Sequence, residues 1–498
     1  MLELHTPEQA AQWLRSKVKG ALRTDNRQLL TGDGLLAWPG AKVDARSFAG
    51  KASQDGMACL VEHEGAEVFG FSGDNLASYR GLKADAGRIA ADFYGMPSAR
   101  MDVIAVTGTN GKTSTTWWLA HALSALPDSG SAPCAVVGTL GVGLPPAVQS
   151  TGLTTPESVY LQHTLHSFAQ QGVKAVAMEA SSIGIDEHRL DGTQIHVAMF
   201  TNLTQDHLDY HGSMEAYWQS KRRLFAWPGL RAAVINVDDA HGAELTAELQ
   251  SGALDVWTVS FQRDARVRAS NIRYGAQGVT FDVVEGSQSW TLATHMIGTY
   301  NVSNMLGVLA AMRALGVPMQ DAVRACSDLR PVPGRMECLG GQDAPLVAVD
   351  YAHTPDALDQ ALMALRPLTV ARGGKLWCVF GCGGDRDATK RPLMGAIAAR
   401  QADQVVVTSD NPRSEKPEAI IAQIVLGAAG NPLVHVQVDR AQAIAQSISK
   451  AHVQDVILLA GKGHEAVQEI AGTQFEFSDA AHATAALLAR AAGVEAHA

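Results

Sequence analysis

The sequence predicts a three-domain α/β protein with mostly parallel sheet, and three observations lead there. The chain has 498 residues, which at about 150 residues per domain is enough for three separately buried cores. From Met101 onward one arrangement recurs, a short apolar run, a polar or glycine-rich turn and a helical pattern, as expected of parallel strands joined by crossover helices. The proline-bounded segment PVPGR (331–335) then interrupts the series, which restarts beyond it and so divides into two halves.

In the first half the candidate strands lead into VIAVTG (103–108), AVAMEA (175–180), VAMFTN (197–202) and AAVINVDD (232–239). In the second they lead into LVAVDYAHTPD (346–356), LWCVFGCGGDRD (376–387), QVVVTSDNPR (404–413) and VILLAGKGHE (456–465). Ligands of such sheets collect beyond the carboxyl ends of the strands, and in both halves the chemically active residues stand there. The first hundred residues have fewer long apolar runs. The expected division is therefore a small N-terminal α/β domain (1–100), a central domain (101–334) and a dinucleotide-fold-like C-terminal domain (335–498).

Composition narrows the class. Hydrophobic residues at 46% and charged residues at 18% are globular usage, and the net charge of -10 weighs against a nucleic-acid surface. The N-terminus MLELHTPEQAAQWLRSKV lacks the apolar core of a signal peptide. No apolar stretch approaches the roughly 18 residues that span a bilayer, so a cytoplasmic protein without membrane or nucleic-acid partners is expected. The six cysteines are scattered, and Cys378 and Cys382 lack a second pair to complete a metal site, so reduced thiols are expected.

VTGTNGKTSTT (106–116) follows a strand and opens a helical pattern, where a phosphate-binding turn belongs. Glycines let backbone N–H groups approach phosphate oxygens, a lysine supplies charge, and the next hydroxyl reaches Mg²⁺. Gly108, Thr109, Asn110, Gly111, Lys112, Thr113 and Ser114 form this candidate ATP-binding loop. Val106 stands where the general G-x-x-x-x-G-K-T pattern has its first glycine. A plain glycine turn before a helix is the alternative, and strand, GKT and helix together speak against it.

The loop GTNGKT resembles that of the Mur ligases and the related folylpolyglutamate synthetases. Further stretches are similar to the Mur family: STGLTTPE (150–157), MEASS with its trailing HR (178–189), NLTQDHLDYHG (202–212), GTYNVSN (298–304), PGRME (333–337) and DYAHTPD (350–356). Their order resembles the family from about Asn26 to Glu465. The resemblance implies a central P-loop ATPase domain between a UDP-sugar domain and an amino-acid domain. It also implies ATP-driven activation of a carboxylate as an acyl phosphate, which an incoming amine then attacks.

By the same resemblance, Lys112, Glu179, His207 and Lys221 are the catalytic set. Thr113 and Glu179 are ligands of a first Mg²⁺, and His207 stands near a second. Lys221 matches a family lysine that CO₂ converts to a carbamate, an anionic oxygen ligand; a solvated lysine beside Arg222 and Arg223 is the plain alternative. Asn301, Arg335 and Asp350 resemble the residues around adenine, hinge and ribose. Thr154, Thr155, Ser181, Glu187 (a glutamine in some members) and Arg189 match contacts to the muramoyl dipeptide. Asn26, Arg27 and Gln28 lie in the uridine-site stretch, with Asn26 in place of serine. DNPR (410–413) resembles the diaminopimelate-recognition motif.

For an amino acid with a second carboxylate, Arg413 is the expected partner, Asn411 adds a hydrogen bond and Arg386 adds charge. Asp410 and Pro412 complete the motif, and Gly461 and Glu465 of GKGHE hold the distal ammonium. The implied small-molecule partners are ATP, UDP-N-acetylmuramoyl-L-alanyl-D-glutamate and meso-diaminopimelate, on a monomeric chain. A lysine-adding relative, a folylpolyglutamate synthetase and a P-loop kinase are the competing readings. The C-terminal motifs speak against them.

Overall fold

The computed structural model describes residues 1–40, 43–275 and 278–493; the last five residues of the expected C-terminal domain lie outside that range. Among the described residues three α/β sheets follow one another along the chain, with a two-stranded antiparallel hairpin, Val467–Ile470 and Thr473–Glu476, after the last strand of the third. The first has five parallel strands in the order Leu2–Leu4, Leu76–Tyr79, Ala58–Glu62, Gly34–Ala37, Leu22–Arg23.

The second sheet has eleven strands. At its centre Asp102–Thr107 lies between Ala175–Glu179 and Val197–Phe200, all parallel. These strands are buried at every position but Asp102, because helices cover both faces, and that is why they read as unbroken apolar runs. The mostly parallel sheet expected of this half carries antiparallel ribbons at both edges. Gly141–Leu144 and Ala147–Gln149 add an antiparallel ribbon on one side, and Gly278–Glu285 and Gln288–Ala293 add another on the other. Gly278–Glu285 alternates half-buried and buried residues, the period-2 pattern of a strand with one wet face, which a search for continuous apolar runs passes over.

The third sheet is parallel apart from one edge, Glu337–Gly340, in the order Glu337–Gly340, Leu346–Asp350, Val456–Ala460, Leu376–Phe380, Gln404–Val407, Val434–Val436. Register positions the site. Asp350 and Phe380 both pair with Ala460, and Phe380 with Val407. The segments DYAHTPD, GKGHE, GDRD and DNPR therefore leave the sheet at one edge. In the central sheet Glu179 pairs with Val106, so the acid leaves its strand level with the turn into the phosphate loop.

Candidate active site

The phosphate loop is held in place by glycine conformations and a network of backbone and side-chain hydrogen bonds. The helix Lys112–Ser124 starts directly after Gly111, whose φ of 88° only glycine adopts without strain. Gly108, at φ 144°, leaves no room for a side chain against Thr201. The segment after Val197–Phe200 stitches the loop in place: Thr109 N donates to Asn202 O (2.8 Å), Asn110 N to Asn202 Oδ1 (2.9 Å) and Thr201 Oγ1 to Asn110 O (2.6 Å). Thr204 N donates to Thr109 Oγ1 at 2.9 Å. Lys112 Nζ folds back onto the carbonyls of Gly108 and Thr109, 2.9 Å from each. Burial lowers its pKa, and Glu179 and Asp206 work against that.

Glu179 is buried, 1% exposed, and fully engaged. Thr113 Oγ1 donates to its Oε2 at 3.0 Å, and Thr139 N donates to Oε1 at 2.8 Å. The Thr139 hydroxyl lies 3.2 Å from Oε2 and 3.0 Å from Thr154 Oγ1. Thr155 Oγ1 donates to the Glu179 carbonyl (2.7 Å) and accepts from Ser181 N (3.0 Å). Ser181 caps the short helix Ser182–Asp186, and Arg189 Nη1 holds the Thr155 carbonyl at 3.1 Å. The TTPE and MEASS stretches thus form one hydrogen-bonded unit around the acid.

Lys221 is not the solvated lysine of a basic run. The helix Met214–Arg222, capped by Ser213, buries Tyr217, Trp218 and Lys221 on one face. Arg222 and Arg223 pair at the surface with Glu248 and Asp186. Lys221 Nζ donates to Gly108 O at 2.9 Å and sits 4.2 Å from the Tyr217 ring centroid. Burial, then Lys112, pull its pKa well below the usual lysine value. His207, in the left-handed region at φ 52°, has its pKa pushed down to about 4, chiefly by burial, so its ring is neutral near pH 7 and a nitrogen lone pair is free to bind a metal.

Three groups beyond Pro331 reach across to this loop. Arg335 Nη2 donates to Thr113 Oγ1 at 3.3 Å, and its guanidinium lies 4.1 Å from the Tyr351 ring. Its Nη1 is buried with no partner among the described residues, in a residue that lines the cleft beside the phosphate loop. Asn110 Nδ2 donates to Asp356 Oδ2 at 3.2 Å. His353 Nε2 lies 3.8 Å from Asp206 Oδ2, which is 3.6 Å from His207 Nε2. Asp350 accepts from Met336 N at 2.7 Å, and burial raises its pKa. Asn301 donates to Ile297 O at 2.8 Å.

Between the two sheets these residues line a cleft of about 610 Å³. It gathers Thr109 to Ser114, Thr154, Glu179, His207, Asn301, Arg335 and Asp350. Lys221 and Gly108 are buried and are not among its lining residues. Sequence reasoning missed Thr139, Asp206, Tyr351, His353 and Asp356, although all but Thr139 sit inside the DHLD and DYAHTPD stretches it had singled out.

The expected uridine and dipeptide residues are not all brought to this cleft. Asn26, Arg27 and Gln28 form one turn of 3₁₀ helix in the first sheet's domain, and Arg27 is exposed and paired to Asp25. Glu187 is held by Lys83 Nζ (2.5 Å) and Tyr210 OH (2.8 Å), which tie the helix Leu82–Phe93 to the central sheet's face.

The amino-acid motifs form a second cluster. Asn411 Nδ2 donates to Glu465 Oε2 at 2.8 Å, and Arg413 Nη1 donates to Gly384 O at 2.8 Å. Asp410 Oδ1 accepts from Asn411 N at 2.6 Å, Pro412 packs on Gly384, and Gly461 lies against the Asp410 carboxyl. Arg386 is exposed and, among the described residues, its side chain bonds only to Asp385 O (3.3 Å). Underneath, the buried Arg440 pairs with Asp479 at 2.7 Å and donates to the carbonyls of Ser409 (3.2 Å) and Ala460 (2.9 Å), the residues just before DNPR and GKGHE.

Fold and cleft define a phosphate-loop, nucleotide-using α/β protein. Residues 106–312 match the Mur ligase middle domain and residues 334–463 the Mur ligase glutamate ligase domain. The chain belongs to the Mur ligase family. It is 59% identical over 495 residues to UDP-N-acetylmuramoyl-L-alanyl-D-glutamate--2,6-diaminopimelate ligase of Acidovorax sp. (strain JS42), covering 99% of each chain. The enzyme of that name from Pseudomonas aeruginosa is 46% identical, with 94% of this chain and 95% of the relative covered. A solved structure of a UDP-N-acetylmuramoyl-L-alanyl-D-glutamate--2,6-diaminopimelate ligase superposes with a TM-score of 0.66 at 36% identity, covering 95% of both chains.

Proposed function

We propose that this Mur ligase joins meso-diaminopimelate to UDP-N-acetylmuramoyl-L-alanyl-D-glutamate, converting ATP to ADP and phosphate, in peptidoglycan precursor synthesis. The observation that carries the reading is the 59% identity along nearly the whole chain to a ligase named for that reaction. We divide the chain into a UDP-sugar domain (1–100), an ATP-binding domain (101–334) and an amino-acid domain (335–498), acting as a monomer in the cytoplasm. No helix among the described residues is long and apolar enough to cross a membrane.

The chemistry follows from charge. A carboxylate is a poor acyl donor because its leaving group would be oxide, so an oxygen of the substrate carboxylate first attacks the γ-phosphorus and ADP leaves. The amine then attacks the acyl carbon, phosphate leaves, and the ammonium proton is released. The first step brings anions together, so the protein's task is positioning and positive charge. Lys112 and Arg335 supply that charge from opposite sides of the cleft, and the unpartnered Arg335 Nη1 awaits a phosphate oxygen. Asn301 and Asp350 flank the nucleotide; Thr154, Thr155, Ser181 and Arg189 face the acceptor.

Among the described residues no three His, Cys, Asp or Glu side chains gather into a ready metal cluster. The donors present are hard and few, Thr113 and Glu179 with His207 nearby, which fits Mg²⁺, an ion that keeps waters and substrate phosphates as ligands. When bound it neutralises phosphate charge. Lys221, a buried amine, is suited to react with CO₂, and the carbamate would give this sparse set another oxygen. The test of the function is phosphate release from ATP that requires both the UDP-muramoyl dipeptide and the amino acid. Release with neither present, or a stable phosphorylated product, would overturn it.

A further inference from the structure

A lysine that the mechanism does not use lies at the centre of the amino-acid cluster. Lys462 is 0% exposed, and all three of its ammonium hydrogens have acceptors: Asn411 Oδ1 at 3.0 Å, Glu465 Oε2 at 3.1 Å and Val467 O at 2.7 Å. Asn411 Oδ1 accepts a second bond from Glu469 N at 3.0 Å. Two donors on that oxygen fix which way the amide points. Its Nδ2 must face Glu465, and one Nδ2 hydrogen goes to Glu465 Oε2 at 2.8 Å. Glu465 Oε2 is then saturated by two donors, and among the described residues no hydrogen bond reaches Oε1.

The cluster thus leaves one N–H of Asn411 and one carboxylate oxygen of Glu465 uncommitted side by side, with Arg413 on the same edge. A donor beside an acceptor matches the carboxylate and ammonium of an α-amino-acid head. We propose that Lys462 is a positioning residue that locks Asn411 and Glu465 into this donor–acceptor pair, with Glu465 Oε1 reading the distal ammonium of the amino acid. The inference rests on the reading of 410–413 and 461–465 as the amino-acid site. Without Lys462 the Asn411 amide keeps its orientation through Glu469 N alone, and the Glu465 carboxylate is free to rotate. The ammonium reader is lost while Arg413 still reads the distal carboxylate.

The experiment compares wild type with Lys462→Met, using meso-diaminopimelate, 2-aminopimelate (which lacks the distal amine) and lysine (which lacks the distal carboxylate). Expected for the variant is a KM for meso-diaminopimelate raised at least tenfold, with kcat and the KM values for ATP and the UDP-precursor within about threefold. Its preference for meso-diaminopimelate over 2-aminopimelate should collapse while its preference over lysine persists. Glu465→Gln should show the same selective collapse. If Lys462→Met does not fold, the double variant Lys462→Met/Glu465→Gln removes cation and anion together and should match Glu465→Gln alone. A double variant still more impaired toward the amino acid would place Lys462 on the substrate itself and overturn the positioning role, as would a folded Lys462→Met with wild-type discrimination. Equal losses toward all substrates would reduce Lys462 to a fold stabiliser and overturn it too. A wild type that does not prefer meso-diaminopimelate overturns the underlying reading instead.

Discussion

Lys112 and Lys221 donate to the same acceptor: each Nζ lies 2.9 Å from the carbonyl oxygen of Gly108. Two amines on one oxygen repel as ammonium ions, and the pKa of each is lowered, first by burial. Lys112 has Glu179 and Asp206 working to keep its charge, with Arg335 a smaller influence against it. Lys221 has Asp206 alone, and Lys112 works against it. The pair is therefore asymmetric, with one amine suited to act as a cation and the other as a neutral nucleophile.

Lys112→Ala is expected to reduce turnover by about a hundredfold to a thousandfold, the usual loss when one preorganised charge or donor is removed from a transition state. The helix it begins is anchored by neighbouring backbone contacts, so circular dichroism and Tm should stay close to wild type. Near-normal turnover would remove Lys112 from the phosphate site.

Lys221→Ala should be inactive and partly restored by millimolar acetate, because a free carboxylate can take the position of a carbamate. In CO₂-depleted buffer the wild type should lose activity and regain it with bicarbonate. For the unmodified amine the folded pKa lies below the usual value of 10.5. Between the two the folded state binds fewer protons, so stability rises with pH across that window and falls as pH drops through it. Lys221→Met should flatten that slope in denaturant titrations.

Arg413→Ala should raise the KM for meso-diaminopimelate and leave that for ATP unchanged. Arg413 is largely shielded and holds Gly384 O at 2.8 Å with Glu469 3.6 Å away. Lysine offers no carboxylate to the donors that Gly384 and Glu469 leave free, so wild type should reject lysine by at least about a hundredfold. Comparable kcat/KM for the two amino acids would show that Arg413 does not read the second carboxylate.

The Arg440–Asp479 pair has 0% side-chain exposure on both sides. Breaking it with Asp479→Asn or Arg440→Met is expected to cost about 3–5 kcal/mol, whereas replacing both by apolar residues of similar volume should be near neutral. Urea titration of the two single variants and the double variant decides this. Because Arg440 also holds Ser409 O and Ala460 O, a folded single variant should bind the amino acid more weakly as well.

Glu415 accepts both guanidinium nitrogens of the buried Arg391, each at 2.8 Å, and also Asp385 N, which holds its pKa down to about 2 from 4.5. A depressed carboxylate pKa contributes stability above the unfolded value that disappears as pH falls through the folded one. Its contribution should be complete above about pH 4.5 and lost toward pH 2. Glu415→Gln should flatten the acid limb of Tm against pH. An unchanged limb would show that this pair does not couple the GDRD loop to the segment after DNPR.

The order of residues alone specifies the parallel cores, the phosphate loop and the sheet edges where the motifs stand, because buried parallel strands need continuous apolar runs and a phosphate turn needs glycines and a lysine at fixed spacing. It did not reveal the antiparallel edges, where a half-wet strand such as Gly278–Glu285 alternates and carries no run. Nor did residue pattern distinguish Lys221 from Arg222 and Arg223, three cations in a row that the family resemblance alone separated; the packing of Met214–Arg222, with Tyr217 and Lys221 on its buried face, decided which one leaves water. The contacts of Asn110 with Asp356, Thr113 with Arg335 and Asp206 with His353 join residues more than a hundred positions apart. Such proximity is set by how two independently folded sheets meet, and no local periodicity encodes it.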